Sequence, residues 1–249
     1  MIYAGVDGCR AGWIAVFRRG GGDGGGGGVR GRILGSIEAL SDALSGSGRV
    51  LIDMPIGLPW AECPVRPCDR AARRLLGSGR RSSVFPPPCR EALAAANLDE
   101  ARRINRAVLG RSIAAQTWNI TAKIAELDRF LQAGSLSAGS APELRESHPE
   151  VCFRALDGRR AMAHRKSTHA GREERLSLLR AYLPEVDTLL TEVLGATSRR
   201  HVSADDVLDA AVLFVAAEER AGRPAALSGE PAYDRAGLPM EIVYPEGGL

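Results

Sequence analysis

No apolar run in this 249-residue chain approaches the roughly 20 residues that a helix needs to cross a bilayer, so no membrane-spanning segment is expected. Bulk charge is also nearly absent, at a formal +3, and by itself names no partner. Cysteines are few and odd in number: Cys9, Cys63, Cys68, Cys89 and Cys152 lie scattered along the chain. That argues against a disulfide framework and for a reducing cytoplasm. The CxxC pair usual in zinc sites is missing, and no histidine lies near Cys63, Cys68 and Cys89, so structural thiols are expected there. The stretch 18–28 is almost all glycine but is not followed by Gly-Lys-Ser/Thr, which excludes a P-loop. It reads instead as a flexible hairpin tip. No internal repeat is visible. No signal peptide is expected either, because the N-terminus runs straight into a strand pattern.

What is present is ordinary for a soluble globular protein: 45% hydrophobic and 25% charged residues, enough to bury a sizeable core. Short apolar runs predict strands over 2–6, 13–17, 29–36 and 50–53, with a short helix over 37–44. The first and fourth strands would form a central parallel pair. Residues 57–142 change character and read as a mostly helical insertion, with helices over 69–76, 91–109 and 113–133, closed by a Gly/Ser/Ala/Pro linker over 136–142. A fifth strand follows over 144–148, then helices over 173–182, 185–194 and 203–220, and a late strand over 242–244. The helix from Ser203 opens with a Ser-x-x-Asp cap and is apolar on every face in its middle, so it should be buried.

Three acids stand where acids are costly. Asp7 follows the run Ile2–Val6, Asp53 follows Val50–Ile52, and Asp209 is the one polar residue within Val207–Ala217. Burying even a neutral polar group without a partner costs on the order of 2–7 kcal/mol. If the first and fourth strands are parallel neighbours, Asp7 and Asp53 emerge together at the sheet edge where α/β sheets place ligands. Asp206 and Asp209, three apart, share a helix face, and docking that helix on the sheet would gather four carboxylates. Oxygen-only ligands of this kind favour Mg2+ or Mn2+ over zinc. Glu146, near the end of the fifth strand, is a further candidate ligand. Arg10, Lys123 and Lys166 are candidate substrate-binding cations, Lys166 lying in a polar loop of the kind that contacts phosphate. Between Arg66 and Arg111 eleven arginines face four acids, a local balance of +7 that leaves −4 for the rest. Such a stretch suits a phosphate-contacting surface.

The pieces Gly5-Val-Asp-Gly-Cys-Arg-Ala-Gly-Trp13, Ile52-Asp-Met-Pro-Ile-Gly-Leu-Pro59 and Arg66-Pro-Cys-Asp-Arg-Ala-Ala-Arg73 are joined by three more. These are Arg81-Ser-Ser-Val-Phe-Pro86, Glu146-Ser-His-Pro-Glu150 and Asp205-Asp-Val-Leu-Asp-Ala210. Together, and in this order, they resemble a bacterial and archaeal family catalogued as a domain of unknown function and described as predicted RNase H-like nucleases. The resemblance implies one RNase H-like domain over 1–249: a five-stranded mixed sheet flanked by helices, with the helical insertion at 57–142. It implies acids at the ends of the first and fourth strands and on a late helix, places taken here by Asp7, Asp53, and Asp206 with Asp209. The late pair is similar to that of Holliday-junction resolvases on the same fold, which lack the insertion in this form. The expected activity is Mg2+- or Mn2+-dependent hydrolysis of phosphodiester bonds in DNA or RNA. Asp7, Asp53, Asp206 and Asp209 would be catalytic, and Asp7, Asp53, Glu146 and Asp209 would be metal ligands. Two alternatives are kept. One is a phosphotransferase or nucleotide hydrolase like the actin-type ATPases, whose Gly-x-Asp-x-Gly turn Gly5-Val-Asp-Gly partly matches. The other is a non-catalytic binding protein.

Overall fold

The first strand, β1 (Ile2–Cys9), turns back through Arg10 and Ala11 into β2 (Gly12–Arg19), with Cys9 opposite Gly12 and Asp7 opposite Ile14. These and the following elements belong to a computed structural model that describes residues 2–19, 27–46, 48–134, 143–198, 200–218 and 223–245. The glycine-rich tip beyond Arg19 and the linker 136–142 lie outside the described residues, apart from the last residues of the tip.

β2 pairs antiparallel with β3 (Arg30–Leu34). The helix α1 (Ile37–Ala43) follows, its N-terminus capped by Ser36 Oγ accepting the Ala39 N–H. β4 (Gly48–Ile52) then returns parallel to β1, and β5 (Glu143–Glu146) lies parallel to β4. The result is a mixed five-stranded sheet in the order β3-β2-β1-β4-β5, an α/β architecture consistent with the RNase H-like expectation. Apolar side chains fill it on the pattern the sequence predicts: Val6, Trp13, Ile14, Val16, Leu51 and Ile52 are fully buried.

The chain divides into two compact units. The first holds 1–53, 136–225 and 243–249; the second holds 54–135 and 226–242. The second is therefore broader than the insertion read over 57–142, because a late segment joins it. Within the second unit, the bond that ties the late segment to residues 54–135 is polar: Arg90 spans Asp128, through Nε and Nη2 at 2.9 and 2.8 Å, and Asp234. Asp234 also accepts the Leu58 N–H at 2.9 Å. Such a bridge joins side chains distant in sequence and leaves no periodic trace.

Within the second unit the helices are α2 (Pro67–Arg80), α3 (Leu98–Leu109) and α4 (Ala115–Gln132). The single helix expected over 91–109 is two pieces. A short 3-10 turn covers Arg90–Ala94, and Asn97 then restarts the chain as an N-cap, its Oδ1 accepting the Glu100 N–H at 3.0 Å. Side-chain competition for the backbone breaks the helix where apolar periodicity alone runs through.

In the first unit, α5 (Pro149–Leu156), α6 (His169–Tyr182), α7 (Val186–Gly195) and α8 (Ala204–Ala217) accompany the sheet. α6 starts four residues earlier than expected because Thr168 caps it, Oγ1 accepting the Gly171 N–H. α8 is buried without interruption from Val207 to Ala217 and packs along β1. No helix among the described residues is long and apolar enough to cross a membrane.

Candidate metal centre

Asp7 and Asp53 are brought side by side by the parallel register of β1 and β4. Val6 pairs with Ile52, and the Asp53 N–H extends the ladder by donating to the Val6 carbonyl at 2.9 Å. Side chains alternate across a sheet, so Asp7 shares its face with Gly5, against which α8 lies. Asp209, in the second turn of α8, completes the group. Asp7, Asp53 and Asp209 each offer a carboxylate oxygen, and these oxygens all lie within 4.8 Å of one another. Asp7 and Asp209 are buried, and Asp53 is partly so.

The electrostatics are those of a site short of positive charge. Burial, then the charges of Asp53 and Asp209, push Asp7 well above the ordinary carboxylate range. Burial pushes Asp53 up to about 6; His148 and Lys166 pull it down, and Asp209 and Glu150 push it further up. Lys166 reaches in with its Nζ 2.6 Å from Asp209 Oδ2, while half of its side chain stays exposed. The Asp209 charge, against the cost of burial and with help from Asp7 and Asp53, raises the lysine's pKa. One ammonium among three carboxylates leaves room for a divalent cation, and the all-oxygen donor set matches Mg2+ or Mn2+. The residues therefore fit such an ion.

Residues 5–232 match the family described as "Protein of unknown function (DUF429)". The chain belongs to the DUF429 family. The DUF429 match takes in all three aspartates and Lys166, so the cluster lies inside the family's domain. No curated protein and no solved structure matches the chain.

The remaining candidates of this DUF429 chain are placed less centrally. Asp206 closes a capping box: its carboxylate accepts the Ser203 N–H at 2.8 Å, and Ser203 Oγ accepts the Asp206 N–H at 3.2 Å. Its charge still acts on Asp7, but its Oδ2 is committed to the helix start. Glu146, expected as a further ligand, is not among the three residues whose oxygens converge. It pairs with Ile52, not Asp53, so strand alternation sends it to the opposite face of the sheet. Ser147, one residue on, occupies the register beside Asp53 and donates its N–H to the Ile52 carbonyl. Arg10 is exposed in the β1–β2 turn, and Lys123 is on α4 in the second unit.

His148 and Glu150, whose roles the sequence leaves open, act on Asp53 electrostatically. Glu150 is held by a residue that sequence reasoning passed over: Arg175, 1% exposed, whose Nη2 binds Glu150 and whose Nη1 donates to the Gly171 carbonyl at 2.8 Å. Its signal was an arginine beside the buried Leu176 and Leu179 on α6, a pattern shared by many surface helices.

A pH effect follows from these groups. Mn2+ must displace protons that the cluster holds with raised affinity. Affinity for Mn2+, measured by calorimetry, is therefore expected to fall as pH drops through 6, by about tenfold per pH unit for each proton displaced. Equal affinity at pH 5 and pH 7.5 would contradict the assignment.

Proposed function

We propose that this protein is a Mg2+- or Mn2+-dependent nuclease of RNase H-like type that hydrolyses phosphodiester bonds in nucleic acid. The observation that carries this reading is the convergence of Asp7, Asp53 and Asp209, from two neighbouring strands and a buried helix, onto one point. Burial and mutual repulsion hold the protons of Asp7 and Asp53 above the ordinary carboxylate range, an arrangement that costs stability and is typical of functional sites.

Asp7, Asp53 and Asp209 would hold the ion. Bound there, it supplies Lewis-acid stabilisation of charge developing on phosphoryl oxygens. The chain's own groups do the rest. The Gly8 N–H donates to Asp7 Oδ1 at 2.7 Å and fixes that carboxylate's orientation. The Lys166 ammonium, on a loop between α5 and α6, neutralises Asp209 without an ion. The same ammonium, half-exposed, is the chain's own group for a non-bridging phosphate oxygen of the substrate. Asp206 holds the first turn of α8 and thereby the position of Asp209, acting through the backbone. His148 places an imidazole close enough to influence Asp53, where it can accept or give a proton.

The test is cleavage of labelled single-stranded, duplex and branched substrates with Mn2+. Cleavage by the parent is expected, with losses of about a thousandfold or more in Asp53→Asn and Asp209→Asn. Variants that cut as well as the parent would show that the nuclease is a contaminant. ADP release from ATP with a small acceptor, in place of cleavage, would make the protein a phosphotransferase.

A further inference from the structure

A second cluster of charge, opposite in sign, lies wholly in the second unit. α2 is interrupted at Gly77, whose φ of 64° and ψ of −170° suit glycine alone. The break turns the chain between Arg74 and Arg81 and helps to form a cavity of about 530 Å3 lined by Arg73, Arg74, Gly77, Ser78, Arg81 and Ser82. That volume is within the range of small-molecule sites, about 300–1,000 Å3, but those are lined mostly by apolar side chains. This lining has neither an apolar side chain nor a carboxylate.

The acids of the arginine-rich stretch are largely spent elsewhere. Asp69 pairs with Arg66, Asp99 with Arg102 and Glu100 with Arg103. Arg73 is also committed, its Nε and Nη2 donating to the Val84 carbonyl at 3.1 and 2.7 Å. Arg74 and Arg81 remain exposed at the cavity, with Ser78 between them in sequence and Ser82 directly after. The Arg73–Val84 clamp fixes one more feature. The next residue, Phe85, is 41% exposed, although a large apolar side chain gains by burial. Guanidinium groups for phosphates and an aromatic face for a base are the two parts of a single-strand site.

We propose that this cavity binds single-stranded nucleic acid, with Arg74 and Arg81 on successive phosphates and Phe85 stacked on a base. The choice of nucleic acid as the polyanion rests on the nuclease reading; the cavity, its charge and its aromatic neighbour do not. An aromatic ring adds nothing to binding an acidic peptide's carboxylates but recognises any base.

The experiment is fluorescence anisotropy in EDTA, where no cleavage occurs, with labelled oligo(dT) and oligo(U), against a duplex and against polyglutamate as competitor. Arg74→Glu/Arg81→Glu is expected to weaken single-strand binding by about tenfold or more and to lower the slope of log K against log salt by about 1.4, for two lost phosphate contacts. Phe85→Ala is expected to weaken single-strand binding by about tenfold while leaving the duplex unchanged. DNA and RNA arms tell which strand is preferred, and either preference supports the site. Binding by the arginine variant within about twofold of the parent overturns it. Equal loss of duplex binding in Phe85→Ala, or polyglutamate competing as well per charge, overturns it too. Should the charge reversal disturb folding, Arg74→Ala/Arg81→Ala is read instead. Asp7→Asn keeps the two readings apart: in EDTA it should bind like the parent, so its cleavage defect judges the metal centre alone.

Discussion

Asp7→Asn is expected to raise the melting temperature of the metal-free protein and, in the same molecule, to remove Mn2+-dependent cleavage. The first effect follows from the direction of the Asp7 shift. In the unfolded chain this carboxyl releases its proton near 3.8; in the fold, burial and the neighbouring Asp53 and Asp209 hold the proton on to higher pH. Below the unfolded pKa both states are protonated, and the group costs nothing. As pH rises above it, the unfolded state is favoured increasingly, until the folded pKa is reached and the penalty is complete. Asparagine has no charge to bury and keeps a carbonyl oxygen for the Gly8 N–H, so the penalty goes and the hydrogen bond stays. The gain should be about 1 kcal/mol or more near pH 7, or at least about 2–4 °C in Tm, and should vanish near pH 4. Catalysis moves oppositely, because asparagine cannot supply the negative charge that holds a divalent ion. A thousandfold loss of rate corresponds to about 4 kcal/mol of lost transition-state stabilisation. Differential scanning calorimetry in EDTA at pH 4 and 7, beside a Mn2+ cleavage assay, reads both. A lower melting temperature at pH 7 would mean that Asp7 is a structural acid and that the cluster is not held under strain.

The sheet and this cluster were legible in the sequence for a shared reason. An apolar run that ends in an acid marks both a buried strand and the chemistry at its end, which is how Asp7 and Asp53 stood out. Asp209 was visible because it interrupts an otherwise unbroken apolar helix. What the sequence hides is register. Glu146 alternates with Leu144 in a way that suits either face, and only pairing with Ile52 rather than Asp53 decides that it points away. Asp206 shows the converse: the Ser-x-x-Asp spacing announces a cap, and the cap is what occupies its carboxylate. The pairing of Lys166 with Asp209 joins residues 43 apart, and that of Arg90 with Asp234 residues 144 apart. Neither distance is encoded in any local pattern, so Lys166 was one of three equivalent cations and Asp234 was not considered. The unit boundary escaped for the same reason, since 226–242 joins the second unit through Asp234 and not through composition.

Gly5→Ala is expected to be the most damaging single substitution on β1, contrary to what propensity predicts. In a strand interior, replacing glycine by alanine is ordinarily stabilising by roughly 0.5–1 kcal/mol, because glycine loses more backbone freedom on folding. Here a Cβ on Gly5 would lie 2.1 Å from both the Ala210 carbonyl oxygen and the Phe214 nitrogen, and 2.6 Å from the Leu213 carbonyl carbon. All three are backbone atoms of a buried helix, so no side chain can rotate away; α8 as a whole must lift from β1. A cost above about 4 kcal/mol, a large share of the 5–15 kcal/mol that stabilises a typical domain, is the expected scale. Urea unfolding measures it, with Gly79→Ala as the control, since a Cβ at Gly79 meets nothing within 4 Å. A neutral or stabilising result for Gly5→Ala would mean that α8 does not approach the strand so closely. The same approach sets the separation between the Asp209 and Asp7 oxygens, two residues along the strand on the same face. Any Gly5→Ala protein that does fold must therefore bind Mn2+ more weakly than the parent, although no ligand has been touched.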